Sequence, residues 1–299
     1  MRGVTAMAGR WRKTALVLVG ALALALVAGA SAASPDVAAM NLQVADVPGA
    51  KIISQHSLKE SGYVSAYLRE FAFAAPSGSS RLVLLETETA LAPSAAFATS
   101  DIASAEKAFR STLGRKLFIA SIAKSAKVST KVIVVGKVHS VAGYDQGFTL
   151  PVSLPLKGKR VYEILLFLRL DRAVVFMSGV ALRPVGVGAT AKYVAALAGH
   201  IGTEFTPVAT SPPTVTGNAL QGQTLTATTG AWTAADATFT YQWQRCDAAG
   251  ANCVPVAGAT ASTYAVLPTD VGATFNVVVT AANRFGAPSA TSAVTPVVT

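Results

Sequence analysis

The proline-rich segment 206–214 divides this chain into two parts of different composition. It reads Thr-Pro-Val-Ala-Thr-Ser-Pro-Pro-Thr, and three prolines among Ser and Thr residues predict a short, stiff, extended connector. Residues 33–207 hold 19 Lys and Arg against 12 Asp and Glu, a balance of +7, whereas residues 208–299 hold two against three, a balance of −1. Because the charge balance changes at the connector, the sequence predicts two separate domains, over 33–205 and 215–299.

The first 32 residues have the layout of a secretory signal peptide. Four basic residues precede the apolar run 15–30, and neither the run nor the residues before it include an acidic residue. Ala30-Ser31-Ala32 at its end is a small-x-small cleavage site. We therefore expect export to the cell surface or the extracellular medium, with cleavage after residue 32. An uncleaved membrane anchor is the alternative, although a spanning helix needs about 20 apolar residues and this run has 16.

Residues 33–205 contain strand-like and helix-like segments. Runs rich in β-branched and aromatic residues predict strands, and apolar residues three or four positions apart predict helices. Short turns join the strands, so we expect an α+β domain of two layers, an antiparallel sheet with helices on one face. The predicted strands are 51–57, 63–74, 81–91, 131–141, 147–152, 160–170 and 173–182, and the predicted helices are 93–113, 116–127 and 189–201, with Gly114 and Gly202 closing the first and the last.

This order of elements, with the sequence Tyr-Leu-Arg-Glu-Phe at 67–71 and a closing Ala-rich helix, resembles small extracytoplasmic domains of actinobacterial lipoproteins and receptor-kinase sensors. The resemblance spans about 37–203 and implies binding of a small or apolar ligand, or a sensory or scaffolding role. It carries over no functional residue. A ligand site would lie between the sheet and the helices, lined by aromatics such as Tyr63, Tyr67, Phe71 and Phe73, although an ordinary place in the core is the favoured interpretation of these four residues.

Residues 215–299 consist of short runs of alternating polarity separated by turn residues, the spacing of a β-sandwich. Trp243, Cys246, Cys253 and the Asp270-x-Gly272 motif resemble bacterial immunoglobulin-like repeats of exported proteins. The resemblance implies an all-β sandwich with Trp243 in its core. Valine stands where antibody-type domains have an inter-sheet cysteine, so apolar packing must hold the sheets together. The predicted strands are 223–228, 238–245, 252–256, 263–267, 273–283 and 290–298.

Cys246 and Cys253 are the only cysteines of the chain, and six residues separate them. In an exported protein, a single pair across a turn predicts a disulfide, which would stabilise the domain by roughly 2–3 kcal/mol. A redox or metal pair is the alternative, but the pair has no neighbouring histidine and the gap is long for metal ligands. We therefore expect a structural disulfide.

The sequence contains no motif of a hydrolase, a phosphate-binding loop or a zinc peptidase. His56, His139 and His200 do not share metal-ligand spacing, so the sequence predicts no catalytic, cofactor-binding or metal-binding residue. Glu86 and Glu88 point to one side of a predicted strand. Paired carboxylates can act in glycosidases, but we interpret this pair as a solvated strand face.

The positive charge of the first domain is compatible with an anionic envelope polymer or with lipid headgroups as partner. Lys124, Lys127 and Lys131 recur at helical spacing and could form a basic ridge, for which a solvated helix face is the alternative. No motif for reading nucleic acid is present, so we expect no nucleic-acid partner.

The sequence thus favours an exported, non-enzymatic protein with a ligand-binding, adhesive or scaffolding role. Its first domain would bind a small apolar ligand, a lipid, an envelope polymer or another surface protein. The alternatives are an envelope-acting hydrolase with an accessory immunoglobulin-like domain, and a sensor ectodomain held by an uncleaved anchor.

Overall fold

A computed structural model describes residues 35–60, 62–73, 82–156, 158–234 and 236–299. The predicted signal peptide lies outside these residues. The described chain forms two compact units, Pro35–Glu204 and Phe205–Thr299, which we call unit 1 and unit 2. The structure is mixed α and β, and every strand pair is antiparallel. In the described ranges, no helix is long and apolar enough to cross a membrane.

Unit 1 is built on one antiparallel sheet. Its strands follow the order β1-β2-β3-β8-β7-β6-β4, and β5 pairs with β6 beside β4. The long central strands alternate inward and outward residues, as their apolar pattern predicts. The strands are β1 (Ala50–Leu58), β2 (Ser65–Phe73), β3 (Leu82–Leu91), β4 (Val134–Val135), β5 (His139–Ser140), β6 (Gln146–Leu156), β7 (Lys159–Leu170) and β8 (Ala173–Ala181).

Helices α2 (Ala95–Arg110) and α3 (Thr112–Ala126) form a hairpin over one face of this sheet. Ser111 separates them, because its backbone is extended and its Oγ accepts a hydrogen bond from the amide of Gly114 at 2.9 Å. The prediction that Gly114 closes the first helix is therefore wrong, since Gly114 lies in the first turn of α3. The apolar cluster under the hairpin includes Ile102, Ala105, Phe109, Phe118, Ile122, Phe148, Leu150, Leu165 and Phe167.

The opposite face of the sheet is covered by helix α1 (Val37–Met40) and helix α4 (Ala191–Phe205). The buried Asn41 side chain donates hydrogen bonds to the carbonyls of Tyr67 and Thr87 at 3.0 and 3.1 Å. On the same face, Gly179 leaves room for Thr190, whose Cγ2 would lie 3.4 Å from a Cβ at that position.

The prediction of two layers with helices on one face is therefore wrong for unit 1, because its sheet is covered on both sides. The reason is that β8, at the centre of the sheet, carries apolar or small residues in both alternating sets, so neither face is suited to water. Two further predictions are corrected. Gly202 does not close α4, which continues to Phe205, and the strand predicted over 131–141 is a 3₁₀ turn (Thr130–Val132) followed by the two-residue strands β4 and β5.

Unit 2 consists of short strands in three sheets, ordered β10-β11-β15, β12-β9 and β14-β13-β16-β17. The predicted connector 206–214 is part of this unit, because β9 lies within it and pairs with β12. The strands are β9 (Ala209–Ser211), β10 (Val215–Thr216), β11 (Thr224–Ala227), β12 (Ala231–Trp232), β13 (Thr238–Cys246), β14 (Val254–Pro255), β15 (Thr263–Ala265), β16 (Thr274–Ala282) and β17 (Ser289–Thr291).

The core of unit 2 joins residues of two of these sheets. Leu225 and Tyr264 come from the three-stranded sheet, and Trp243 and Phe275 come from the four-stranded sheet. Trp243 is fully buried, and its indole N–H donates to the carbonyl of Ala261 at 2.9 Å. The predicted disulfide between Cys246 and Cys253 is present.

Candidate functional site

A cavity of about 60 Å³ lies in unit 1 between helix α2 and the sheet. Packed protein interiors contain few voids larger than a water molecule, so a cavity of this size beside a helix is the first candidate for a binding site. It is lined by Glu60, Tyr63, Glu88, Ala90, Asp101, Ile102, Ala105, Phe167, Val174 and Phe176.

The sheet side of the cavity is a consequence of strand register. Glu88 of β3 stands opposite Phe176 of β8, which in turn stands opposite Phe167 of β7. The pair two residues along the strands is Ala90 with Val174. Because Cβ atoms alternate between faces, these residues all point toward α2. The small Ala90 beside two phenylalanine rings, whose centroids lie 5.1 Å apart, leaves space that the helix does not fill.

The helix side is provided by one stripe of α2. Asp101, Ile102 and Ala105 recur at the spacing that places residues on one helix face. Ser94 begins this helix, since its side chain accepts a hydrogen bond from the amide of Phe97 at 3.1 Å. The helix wall is therefore apolar apart from Asp101, whereas the sheet wall carries the buried carboxyl of Glu88 beside its phenylalanines.

The polar end of the cavity is formed by Tyr63 and Asp101. The Tyr63 hydroxyl donates a hydrogen bond to the Asp101 Oδ2, and its ring meets the edge of Phe97 with centroids 5.4 Å apart. Burial, together with the Asp101 charge, raises the pKa of Tyr63 above its ordinary value. Burial also raises the pKa of Asp101, and the hydrogen bond from Tyr63 partly opposes that rise. Tyr63 and Glu60 are only half-buried, so this end faces solvent.

We expect the substitution Tyr63→Phe to raise the pKa of Asp101 further. The phenol is the donor that stabilises the ionised carboxylate, and without it burial acts alone. A carboxyl-detected NMR titration of Asp101 measures this shift. Tyr144→Phe is the matched control, because the Tyr144 hydroxyl donates to the backbone carbonyl of Val194. An Asp101 titration curve that is the same in Tyr63→Phe and in the parent would show that the hydrogen bond has no such effect.

A second buried carboxyl lies on the same face of the sheet but outside the cavity lining. Ser178 of β8 donates a hydrogen bond to Glu163 of β7 at 2.5 Å. Burial raises the pKa of Glu163 to about 7, and the bond from Ser178 acts in the opposite direction. This carboxyl therefore changes its charge near neutral pH.

A wider polar groove lies on the other side of unit 1, between α1 and α4, and includes Arg69 and His200. The buried Arg69 guanidinium donates to the carbonyl of Leu42 and, at 3.0 Å, to the Gln43 side chain. His200 Nε2 lies 2.9 Å from Asp46 Oδ2. These contacts hold the segment 42–46 against α4 and the sheet, so the groove has a structural role.

The sequence analysis named four aromatic residues as candidates for the lining of a ligand site and favoured an ordinary place in the core for them. Of the four predicted aromatics, Tyr63 lines the cavity, whereas Tyr67 and Phe71 point to the opposite face of β2, where Phe71 is fully buried. The interpretation of Glu86 and Glu88 as a solvated face is wrong. They are 2% and 4% exposed, because α2 and α3 cover that side of the sheet.

Asp101, Phe167 and Phe176 were not predicted as site residues. The strand register brings the two phenylalanines together. Local sequence pattern alone does not determine this register. The predicted histidines do not meet at this site. His56 on β1 and His139 on β5 are exposed at opposite ends of the sheet. Within the ranges that the structure covers, no group of three His, Cys, Asp or Glu could hold a metal ion.

Comparisons with known proteins leave the family open. No family model and no curated protein matches the chain. Among solved structures, the chain is similar to the crystal structure of the extracellular domain of PknH from Mycobacterium tuberculosis, with 10% sequence identity and a TM-score of 0.35 over 57% of this chain and 99% of that one. A likeness at this level carries no argument about function.

Proposed function

We propose that this protein is an exported, non-enzymatic binding protein whose unit 1 holds the end of a small apolar ligand in the cavity beneath α2. The observation that carries the proposal is the cavity itself, with phenylalanine and aliphatic walls and a Tyr63–Asp101 pair at its outer end. Ligand sites of this kind combine apolar walls with a few polar groups that fix orientation.

The size of the cavity defines what it would accept. An apolar cavity of about 150 Å³ takes a benzene molecule, and this one has about 60 Å³. Only the last few carbons of an alkyl chain fit such a space. The remainder of the ligand would pass Tyr63 and Glu60, where a hydroxyl or amine group has hydrogen-bond partners. A fatty alcohol or an alkylamine has this composition.

The chemistry of the lining favours binding over catalysis. Its polar groups are carboxyls and a phenol, and the phenol is held protonated by burial and by Asp101. Catalytic nucleophiles are activated by a lowered pKa or by an adjacent base that takes their proton. Here the pKa of the phenol moves upward, which is the opposite of activation.

For unit 2 we propose an immunoglobulin-like sandwich that presents or spaces unit 1 at the cell surface. Support comes from the apolar cluster that joins residues of two sheets around Trp243. The disulfide supports an extracellular location, because disulfides persist in oxidising compartments. Such a domain is suited to binding other molecules through its exposed loops and strand edges, because the fold by itself does not imply catalysis.

The proposal is tested by titrating the chain with n-octanol in a calorimeter. We expect saturable binding with a negative heat-capacity change, the signature of buried apolar surface. Ala105→Met fills the cavity from α2 and should abolish binding. Ala123→Met is the matched control, because Ala123 is also a buried helix alanine in unit 1 but does not line the cavity. Equal binding in both variants, or none in the parent, would contradict the proposal.

A further inference from the structure

The positive charge of unit 1 is concentrated in one stretch of chain. Residues 107–144 hold eight Lys and Arg and not a single Asp or Glu. The rest of 33–207 holds 19 − 8 = 11 basic residues against 12 acidic ones, so this stretch accounts for the whole positive balance. It includes the end of α2, all of α3 and the strands β4 and β5.

Helix α3, at the centre of this stretch, has two faces of different character. Its buried face packs against the sheet through Phe118 and Ile122. Its outer face exposes two leucines one turn apart, Leu113 with 67% and Leu117 with 49% of its surface accessible. The spacing of three and four places the following exposed residues on that outer face: Leu113, Lys116, Leu117, Ala120 and Lys124.

The outer face of α3 is unlike an ordinary solvated helix face. Ser111 ends α2 and starts α3 in a new direction, which leaves Leu113 in solvent. Exposed leucines flanked by lysines are the composition of helices that lie in a membrane interface. In such helices the apolar side chains enter the acyl boundary and the lysines extend to the headgroups.

We propose that the outer face of α3 docks unit 1 on an anionic lipid surface. Leu113 and Leu117 would insert below the headgroups, and Lys116 and Lys124 would meet lipid phosphates. The exposed Lys127 and Lys131, which follow at the end of the helix, extend the basic surface. Charge complementarity supports an anionic partner, and the two leucines favour a bilayer over a polyanionic polymer, which offers no apolar phase for them.

Arg115 has a different place in this stretch. Its guanidinium donates to the carbonyls of Val135 and Gly136, the latter at 2.8 Å. It therefore anchors the chain that follows α3 to the first turn of that helix, so that the outer face is held by the fold rather than formed on contact with lipid.

The test uses a fluorescent label at the proposed contact. In the full chain the two natural cysteines are bonded to each other, so Leu117→Cys provides one free thiol for an NBD probe, whose emission rises in an apolar medium. Val44→Cys is the matched control, because Val44 is an apolar residue of unit 1 with 55% exposure outside the basic stretch. A label at 117 reports this face even if another part of the chain also binds lipid.

With vesicles of phosphatidylglycerol and phosphatidylcholine in equal parts, we expect the emission of the label at position 117 to become brighter and blue-shifted. The emission of the label at position 44 should not change. Pure phosphatidylcholine should give little change. Each lysine near an anionic surface contributes about 1 kcal/mol, or about fivefold in partitioning, so Lys116→Gln with Lys124→Gln should weaken the response by about 25-fold.

Three results would overturn the proposal. The first is unchanged emission at position 117 with anionic vesicles. The second is an equal response to neutral and anionic vesicles. The third is binding of soluble dextran sulfate that leaves the label unchanged and prevents any response to vesicles, which would assign the face to a polymer. The variants alter exposed side chains, and circular dichroism checks that they fold.

Discussion

Replacing Phe109 with alanine is expected to lower the free energy of unfolding of unit 1 by about 3–5 kcal/mol, the range for loss of a buried phenylalanine. Phe109 is 3% exposed and lies at the end of α2, where it is one of the residues through which the helical hairpin packs on the sheet. Its ring centroid lies 5.0 Å from that of Phe118, 6.0 Å from that of Phe148 and 5.5 Å from that of Phe167.

This substitution also bears on the proposed binding site. Phe167 contacts Phe109 on one side and lines the cavity on the other, so loss of Phe109 removes the support of a cavity wall. We therefore expect weaker binding of n-octanol by Phe109→Ala under conditions in which the variant is still folded. A calorimetric titration below the unfolding temperature measures this loss.

Urea denaturation followed by far-ultraviolet circular dichroism, which reports the helices of unit 1, measures the stability change. Leu113→Ala is the control, because Leu113 lies in the same hairpin but is 67% exposed, and exposed substitutions usually change stability by less than about 0.5 kcal/mol. Equal losses for Phe109→Ala and Leu113→Ala would show that the hairpin does not pack on the sheet in this way.

The stability of unit 1 is expected to fall by roughly 3 kcal/mol as the pH rises from 4.5 to 7, through Glu163 alone. Burial raises the pKa of Glu163 from 4.5 to about 7 in the folded chain. Between these values the unfolded carboxyl loses its proton while the folded one keeps it, so each pH unit costs about 1.4 kcal/mol. The stabilising contribution is complete below pH 4.5 and is lost once the pH passes about 7.

Glu163→Gln isolates this effect, because glutamine keeps the shape of the protonated acid and does not ionise. We expect the variant and the parent to have similar stability at pH 4.5, and the variant to be more stable by roughly 3 kcal/mol at pH 8. Urea titrations at a series of pH values give the difference curve. Glu106→Gln, in which the replaced carboxyl is 31% exposed, is the matched control. A difference curve for Glu163→Gln that is no larger than that of the control would mean that the Glu163 carboxyl is hydrated in the folded chain.

Much of the local structure of unit 1 was predictable from sequence pattern. The central strands alternate or continue as apolar runs, and five of them lie within a few residues of the predicted bounds. Ile102 and Phe109 of the predicted first helix recur at helical spacing, and both are buried. These elements are set by local periodicity, which is what a single sequence displays.

The layer arrangement was not predictable, because it depends on a few long-range contacts. Asn41 fixes α1 to the sheet through hydrogen bonds to the carbonyls of Tyr67 and Thr87, which lie 26 and 46 residues away in the sequence. No local sequence pattern predicts these contacts. The break between α2 and α3 depends on one serine, Ser111, which ends one helix and caps the next. A glycine three residues later misled the prediction, since glycine is common just after a helix.

The candidate site shows the same division between local and long-range information. Tyr63 was predicted from its place in an aromatic strand, but its partner Asp101 is 38 residues away. Glu88 was placed in solvent because alternating Glu-Thr-Glu is the usual pattern of an exposed strand face. The cavity exists because Ala90 stands beside Phe167 and Phe176, a juxtaposition that only the strand register determines.

Native mass spectrometry of the chain purified from an exporting host tests most directly whether unit 1 holds an apolar ligand. We predict that the parent has a mass above that of the polypeptide, that the excess is released as an alkyl compound on denaturation, and that Ala105→Met lacks it while Ala123→Met retains it. A bare polypeptide mass for the parent, or an adduct that Ala105→Met retains in full, would contradict a ligand site beneath α2.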